Sequence, residues 1–271
     1  MADSIAIWKL EDCKKYLPAP KAIDHKYKRG VLCCVTGSKE YPGAALLTTS
    51  SAIATGVGMV RFRGAKSVRK AVIQNKPAVV IRDGKCDALL LGSGIPYELS
   101  LRNLPNLFRL KRANQITVPK VLDAGALHLS RKVNAPTIIT PHAGELAKLM
   151  GLNITNIEAD PIGAAQDAAR KFNITVLLKG HQTVVANADR AIKLPAATSW
   201  LATAGTGDVL AGILGALIAI NKDKVNDDNL IEIGATASLI HAESAITSSR
   251  GPIDLIKMIE TISAIVTQIT E

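Results

Sequence analysis

The chain has 271 residues, of which 48% are hydrophobic and only 3% aromatic, and its formal net charge is +10. So few aromatic residues require a core of Ala, Val, Ile and Leu, which suits buried parallel strands covered by helices. The positive charge favours acidic ligands, but the basic residues are scattered, without interleaved aromatic residues or a nucleic-acid-binding motif. We therefore expect phosphorylated small molecules, and not nucleic acid, as partners.

Neither a signal sequence nor a membrane span is predicted. No apolar run approaches the length that crosses a bilayer, and the first four residues lack the charged and then apolar pattern of a signal peptide. We expect a cytoplasmic protein that does not contact a membrane. Cys33 and Cys34 lie in the apolar run 31–35, and with Cys13 and Cys86 they show no C-x-x-C spacing. Cys33 and Cys34 are expected to be strand residues in a reducing compartment.

Short apolar runs alternate with helical patterns along the chain, which predicts βαβ units and a mainly parallel sheet. The predicted strands cover 30–36, 59–62, 78–81, 88–91, 120–122, 137–139, 175–178 and 183–186. The predicted helices cover 44–55, 68–74, 97–114, 144–150, 161–172, 208–220, 229–249 and 252–270, and a turn or small hairpin is expected over 187–198. Because the chain contains no linker, repeat or low-complexity tract, we expect one three-layer α/β/α domain over residues 1–271.

Turn-forming and polar residues follow most of the predicted strands. Ligands of such sheets bind beyond the carboxyl ends of the strands, so these segments are expected to surround one crevice. They are Gly37-Ser38 with the Tyr41-Pro42-Gly43-Ala44 turn, Gly92-Ser93-Gly94, Asp123, 140–145 and 179–183. Asp123 can orient water or a metal, but we expect it to cap the following helix.

The most informative run is 201–212, where small residues and glycines precede Asp208 and an apolar helical stretch. Glycine permits a sharp turn and a close approach of phosphate to the main chain, and the free N–H groups at a helix start favour negative charge. The run therefore predicts an anion-binding turn beside an acidic residue. Asp208 can serve there as helix cap, as catalytic base or as both.

Two further segments carry chemistry. In Thr140-Pro141-His142-Ala143-Gly144-Glu145, His142 can donate a hydrogen bond to a ligand or take part in a local capping arrangement. Lys179 directly follows the apolar run 176–178, and Gly180 and Thr183 follow it. An ammonium group there suits a nucleotide phosphate, although a lysine at a strand end can also simply point into water.

Eight segments together carry a family pattern: 25–26, 35–38, 41–44, 56–58, 122–124, 140–145, 178–180 and 204–212. The most specific are TPHAGE at 140–145 and AGTGDVLAG at 204–212. With these segments the chain resembles the ADP/ATP-dependent NAD(P)H-hydrate dehydratases over nearly its whole length. The resemblance implies a ribokinase-like fold and the nucleotide-driven dehydration of the S-epimers of NADHX and NADPHX, the hydrated forms of the reduced cofactors.

By the same resemblance, Ala44, Gly94 and His142 contact the hydrated cofactor, and Asp208 acts as the catalytic residue at its reacting end. The residues implied to hold the nucleotide are Lys179, Gly180, His181, Gln182, Thr183, Gly205, Thr206 and Gly207. The donor implied is ADP in prokaryotic members and ATP in others, with Mg²⁺ bridging the nucleotide phosphates and no metal site made by the protein alone.

Three segments depart from the usual family pattern, at Gly92-Ser93-Gly94-Ile95-Pro96, at Gly125 where a second Asp is usual, and at 196–200. Two other functions also fit the chain: a kinase of the same superfamily acting on a vitamin-precursor alcohol, and a catalytically silent nucleotide-binding protein. The apolar helical surfaces over 231–246 and 253–269 suit either the core or a subunit contact, and we expect a homo-oligomer.

Overall fold

The strands of the protein form one nine-stranded sheet in the computed structural model, which describes residues 6–271. The strands are β1 (Ala6–Ile7), β2 (Val31–Val35), β3 (Met59–Phe62), β4 (Ala88–Leu91), β5 (Lys120–Leu122), β6 (Thr137–Ile139), β7 (Thr175–Leu178), β8 (Val184–Ala186) and β9 (Ala191–Lys193). Their order is β1-β9-β8-β7-β6-β5-β4-β2-β3. Only the β7/β8 and β8/β9 pairs are antiparallel, so the predicted mainly parallel sheet is confirmed.

Helices connect the strands and cover the sheet. They are α1 (Leu10–Cys13), α2 (Pro42–Ala54), α3 (Lys66–Asn75), α4 (Leu104–Asn114), α5 (Ala143–Met150), α6 (Ile154–Ala159), α7 (Pro161–Phe172), α8 (Thr206–Ile220), α9 (Leu230–Ser248) and α10 (Leu255–Thr270). Short 3₁₀ helices cover Lys14–Tyr16, Ala124–Lys132 and Ser199–Leu201. No helix among residues 6–271 is both long enough and apolar enough to cross a bilayer.

Alternating strand residues build two hydrophobic cores, one on each face of the sheet. Leu32 and Cys34 of β2 pack in the core formed with α2, α8, α9 and α10. Cys33 and Val35 face the opposite core, which is formed with α4, α5 and α7. Because both faces are covered, most strand residues are apolar, and the three-layer α/β/α architecture is confirmed. Most apolar residues of α9 and α10 are buried in the first core, which agrees with the interpretation of these helical surfaces as core.

Several predicted element boundaries change in the structure. The predicted strand over 78–81 is absent, and only an isolated bridge joins Val80 to Arg61. The predicted helix over 97–114 begins only at Leu104, because the Asn103 side chain donates to the Pro96 and Glu98 carbonyls and holds a turn instead. The elements α1, α6, β1 and the 3₁₀ helices are not predicted from the sequence, because all of them are short or weakly patterned.

The cysteine prediction is correct for position and wrong for oxidation state. Cys33 and Cys34 do lie in a buried strand, but Cys33 forms a disulfide with Cys86, with Cα atoms 5.7 Å apart. The two residues are 53 positions apart in sequence, so a short cysteine motif could not indicate the pair. The β2/β4 pairing brings them together, because Cys86 lies two residues before β4, the neighbour of β2. Cys13 and Cys34 remain buried free thiols.

Candidate active site

The glycine run forms an open turn at the start of α8. Gly205 is the N-cap residue and has φ +96°, a left-handed conformation that glycine adopts without strain. The helix begins at Thr206, so Asp208 lies in its first turn and is not its cap, which leaves the catalytic base of the roles considered for it. Within residues 6–271, the N–H groups of Gly205, Gly207 and Asp208 have no protein acceptor. They form an electropositive cradle that suits an anion.

The carboxyl group of Asp208 lies in an environment that disfavours its charged form. Burial and, secondarily, the nearby Asp123 carboxylate raise the pKa of Asp208 to about 7, while Lys179 acts in the opposite direction. A carboxyl group with this pKa is partly ionised at neutral pH and can accept a proton there. Perturbed acids of this kind are frequent in catalytic sites.

Asp123 is a buried hydrogen-bond acceptor and does not cap a helix. Its side chain makes no capping bond to the 3₁₀ helix that follows, which corrects the prediction. Instead, Oδ2 accepts from Ser93 Oγ at 2.8 Å, and Oδ1 accepts from Thr140 Oγ1 at 2.7 Å and from Lys179 Nζ at 3.3 Å. These donors come from the ends of β4, β6 and β7, so Asp123 ties together the carboxyl ends of neighbouring strands.

Lys179 turns inward and meets three carboxylates. Its side chain is only 24% exposed, and Nζ lies 3.3 Å from Asp123 Oδ1 and 3.9 Å from Glu145 Oε2. Burial lowers the pKa of Lys179, but the carboxylates of Asp123, Glu145 and Asp208 outweigh this effect and raise it above its ordinary value. Lys179 is therefore a fixed cation beside the glycine turn and not a lysine that points freely into water.

His142 takes part in the local capping arrangement considered as one interpretation of the sequence. Its Nδ1 accepts from the N–H groups of Gly144 and Glu145, and the Glu145 carboxylate accepts from the His142 N–H in return. Nε2 lies 3.6 Å from Glu145 Oε2, and the side chain is 60% exposed. A bridge pairs His142 with Lys179 across the strand ends, so both lie at the same edge of the sheet.

Two cavities open near this edge. The glycine-loop cavity, of about 490 Å³, is lined by 179–181, Thr183, 194–199, Thr206, Gly207 and residues of α9. The tyrosine cavity, of about 630 Å³, is lined by Tyr41, 94–97, the start and end of the Ala124–Lys132 helix, and Glu145, Lys148 and Leu149 of α5. Lys179 lines the first cavity and Glu145 the second, so their contact lies between the two.

The chain is similar to proteins of a known family. A family model described as NAD(P)H-hydrate dehydratase matches residues 32–263. The chain belongs to this family. It is 36% identical over 254 residues to the bifunctional NAD(P)H-hydrate repair enzyme Nnr of Mycobacterium leprae. The matched region covers 89% of this chain and 50% of that protein. It is 33% identical to the ADP-dependent (S)-NAD(P)H-hydrate dehydratase of Xanthomonas campestris, covering 75% of this chain and 76% of that protein.

The chain thus spans about half the length of the bifunctional relatives that it matches. Among solved structures, a Bacillus subtilis ADP/ATP-dependent NAD(P)H-hydrate dehydratase co-crystallised with ATP/Mg²⁺ has a TM-score of 0.84 at 23% identity, over 99% of this chain and 100% of that chain. A ribokinase-like superfamily protein of Enterococcus faecalis has a TM-score of 0.85 at 20% identity, over 99% of this chain and 98% of that chain. These likenesses confirm the predicted ribokinase-like fold.

The residues assigned by resemblance to the dehydratases do not all line the two cavities, and His142 and Asp208 line neither. Gly180, His181, Thr183, Thr206 and Gly207 line the glycine-loop cavity with Lys179, whereas Gln182 and Gly205 do not contribute to its lining. Gly94 lines the tyrosine cavity. Ala44 is buried beneath it, since a Cβ atom at position 94 would lie 2.2 Å from Ala44 Cβ. Ala44 therefore shapes the floor of the cavity, and Gly94 leaves room for this contact.

Two histidines near the candidate site received no role from the sequence. His241 of α9 is buried, lines the glycine-loop cavity, and its Nε2 lies 2.9 Å from the Thr206 carbonyl oxygen. Burial lowers its pKa to about 4, so the ring is neutral and Nε2–H donates to that carbonyl. His128 lines the tyrosine cavity. Neither histidine has a motif around it, because long-range packing alone brings each to its cavity.

The departure at Gly125 from the usual dehydratase pattern has a steric reason in this fold. A Cβ atom at position 125 would lie 2.0 Å from the Ile95 carbonyl oxygen. The loop after β4 therefore approaches the start of the Ala124–Lys132 helix too closely for any side chain. Gly125 and the Gly92–Pro96 departure lie in contact, so the two sequence changes form one structural adjustment at the rim of the tyrosine cavity.

Proposed function

We propose that the protein dehydrates the S-epimers of NADHX and NADPHX to NADH and NADPH at the expense of a nucleotide, with ADP giving AMP and phosphate. The observation that carries the proposal is the position of Asp208, an acid with a pKa of about 7 in the first turn of α8, beside open N–H groups and close to Lys179. Curated relatives described as NAD(P)H-hydrate dehydratases support it.

The two cavities suit two ligands. The glycine-loop cavity has the Lys179 ammonium group and the N-terminus of α8, both of which attract phosphate oxygens, and we assign the nucleotide to it. We assign the hydrated cofactor to the tyrosine cavity, with Ala44, Gly94 and His142 at its near end. The terminal phosphoryl group of the nucleotide and the hydroxyl group of the hydrated ring then meet at Asp208.

Hydroxide is a poor leaving group, so the hydroxyl group must first be converted to a phosphate ester. Asp208 accepts the hydroxyl proton while the oxygen attacks the terminal phosphorus, and the bond from that phosphorus to the bridging oxygen breaks to release AMP. The C–O bond of the ester then breaks, phosphate leaves with the electron pair, and the adjacent ring carbon loses a proton. The N–H groups of Gly205, Gly207 and Asp208 stabilise charge on the transferred phosphoryl group.

The arrangement suits a Mg²⁺ ion that is bound mainly by the nucleotide. Within residues 6–271, no group of three His, Cys, Asp or Glu side chains is positioned to hold a metal by itself. Phosphate oxygens and water would supply most of its ligands, with Asp208 as the nearest carboxylate to the cradle. When bound, the ion neutralises phosphate charge during transfer.

We further propose that residues 1–271 act as one catalytic unit in the cytoplasm, and that copies assemble into a homo-oligomer. The single sheet that runs through the described residues supports the first point, since the cavities lie at its carboxyl edge and both cores contribute helices to them.

The function is tested by incubating the purified protein with NADHX or NADPHX and either ADP or ATP. We expect the near-ultraviolet absorbance of the dihydronicotinamide to return, with AMP or ADP and phosphate released in equal amounts. A stable phosphorylated product without phosphate release would instead indicate a kinase. Nucleotide binding without turnover of either hydrate would indicate a silent nucleotide-binding protein and overturn the proposal.

A further inference from the structure

The outer wall of the tyrosine cavity is basic and aromatic. It is formed by Tyr97, His128, Arg131 and Lys148, while Glu145 is the acidic residue at the inner end. The proposed chemistry uses none of these four residues. An exposed wall of two cations beside two rings can bind a phosphate next to a planar base.

Arg131 is held in place before any ligand binds. Its guanidinium carbon lies 5.7 Å from the centroid of the Phe172 ring, and Nη2 donates to the Leu149 carbonyl at 3.2 Å. This leaves further N–H groups of the same planar group for a phosphate in the cavity. A fixed guanidinium loses little side-chain entropy when it binds an anion, which favours recognition over a passive surface role.

The second cation and the rings lie alongside. Lys148 Nζ is 5.3 Å from the centroid of the Tyr97 ring, and the Tyr97 and His128 rings are 4.8 Å apart. His128 Nδ1 lies 2.9 Å from the Gly125 carbonyl, so Nδ1 carries the proton and Nε2 is a free acceptor. Burial lowers the pKa of His128, which keeps the ring neutral. An acceptor and a stacking surface suit an amino-substituted base such as adenine.

We propose that Arg131 and Lys148 bind the 2′-phosphate of the adenosine half of NADPHX, and so make the protein select NADPHX over NADHX. The inference rests on the proposed function, because it extends the cofactor assigned to the tyrosine cavity. The 2′-phosphate is the group that distinguishes the two substrates, and it lies on the ribose that carries adenine. A cation pair next to aromatic rings matches that combination.

The positions of Arg131 and Lys148 in their helices support the assignment of this wall to the adenosine end of the substrate. Lys148 is one turn beyond Glu145 on α5, and Arg131 lies near the end of the Ala124–Lys132 helix, whose first residue follows Asp123. Both helices begin near the proposed reaction site and end at this wall of the cavity. Arg131 and Lys148 are exposed, in contrast to the buried Asp123. The reacting ring and the 2′-phosphate are likewise at opposite ends of the cofactor.

The test uses Arg131→Gln and Lys148→Gln, with Lys171→Gln as the matched control. Lys171 is also a cation near the Phe172 ring, at 5.6 Å, but it does not line the tyrosine cavity. In each cavity variant we expect kcat/KM for NADPHX to fall roughly tenfold or more, as for the loss of a charge-assisted hydrogen bond. For NADHX we expect a change of about twofold or less, and the control should leave the ratio of the two unchanged.

Calorimetric titration with NADP⁺ and NAD⁺ measures the same selectivity without turnover. The wild-type protein should bind NADP⁺ more tightly, and each cavity variant should bring the two affinities together. Equal losses for both cofactors would assign the pair to the shared pyrophosphate and overturn the inference, as would equal affinities in the wild type. Failure of the wild type to turn over either hydrate would refute the proposed function alone, because the binding ratio is still measurable.

Discussion

The ammonium group of Lys179 lies 3.3 Å from Oδ1 of the buried Asp123, beside the glycine-loop cavity that Lys179 lines. This contact joins the ends of β5 and β7 and sets the local field around Asp208. Asp123 raises the pKa of Asp208, and Lys179 lowers it. The pKa of the proposed base therefore depends on two neighbours with opposite effects, and each neighbour can be removed by a separate substitution.

Removing the proposed base should stop turnover without removing nucleotide binding. For Asp208→Asn we expect kcat to fall about 10²–10⁴-fold, because the amide cannot accept the hydroxyl proton. The nucleotide Kd, measured by titration, should change little, since the N–H cradle is main chain. Asp223→Asn is the control, because that carboxylate is 83% exposed. Unchanged turnover in Asp208→Asn would exclude Asp208 as the base.

The same variant should be more heat-stable at alkaline pH. The folded-state pKa of Asp208 is raised to about 7 from 3.8, so folding disfavours its charged form, and this cost is fully present only above pH 7. Asparagine removes the cost. Thermal unfolding should therefore give Asp208→Asn a higher Tm than the wild type at pH 8, and the difference should shrink as the pH falls towards 4.

The rate should depend on pH through Asp208. We expect kcat/KM to rise with pH through an apparent pKa near 7, as Asp208 becomes ionised. Asp123→Asn removes a repelling negative charge, so the rising limb should move to lower pH. Profiles of the wild type, Asp123→Asn and Asp223→Asn measure the shift. A limb that stays in place in Asp123→Asn would show that these carboxylates do not interact.

Lys179 should affect both binding and the pH profile. Lys179→Met removes the cation of the glycine-loop cavity, so the nucleotide KM should rise roughly tenfold or more. It also removes the group that lowers the pKa of Asp208, so the rising limb should move to higher pH, opposite to Asp123→Asn. Lys222→Met, which removes a half-buried ammonium group paired with the exposed Asp223, is the control. A shift to lower pH would contradict the assignment.

The glycine turn should not tolerate a side chain. At Gly205, φ is +96°, and an added Cβ atom would lie 2.6 Å from Leu255 Cδ1 and 2.7 Å from Leu47 Cδ1. Gly205→Ala should lower the free energy of unfolding by about 1–3 kcal/mol and weaken nucleotide binding. Gly251→Ala is the matched control, because its Cβ would only come within 3.9 Å of Ser249 Oγ. Urea denaturation measures both variants.

The disulfide gives a direct chemical test of the fold. Protein unfolded without reductant should expose two alkylatable thiols, Cys13 and Cys34, and four after reduction, as counted by mass spectrometry. Because the bridge closes a loop of more than 50 residues, reduction should lower the free energy of unfolding by about 2–4 kcal/mol. Four thiols before reduction would show that Cys33 and Cys86 remain unpaired, as the sequence alone led us to expect.

The sequence by itself determined the local pattern and the family. The apolar run 88–91 becomes a buried strand where predicted, because an all-apolar strand has no stable alternative to burial on both faces. The glycines before Asp208 indicated an anion turn, because positive φ and open N–H groups follow from local backbone chemistry. Short or weakly patterned elements such as β1 and α6 carry too little periodicity to be identified.

Only the tertiary structure decided which distant residues meet. The side chain of Asp123 does not cap the helix that follows it. It accepts hydrogen bonds from Ser93, Thr140 and Lys179, which come from three other segments. The Cys33–Cys86 bridge, the His241 contact under Thr206 and the basic wall at Arg131 and Lys148 likewise depend on strand order and helix packing. Such contacts arise from long-range burial, and no local spacing encodes them.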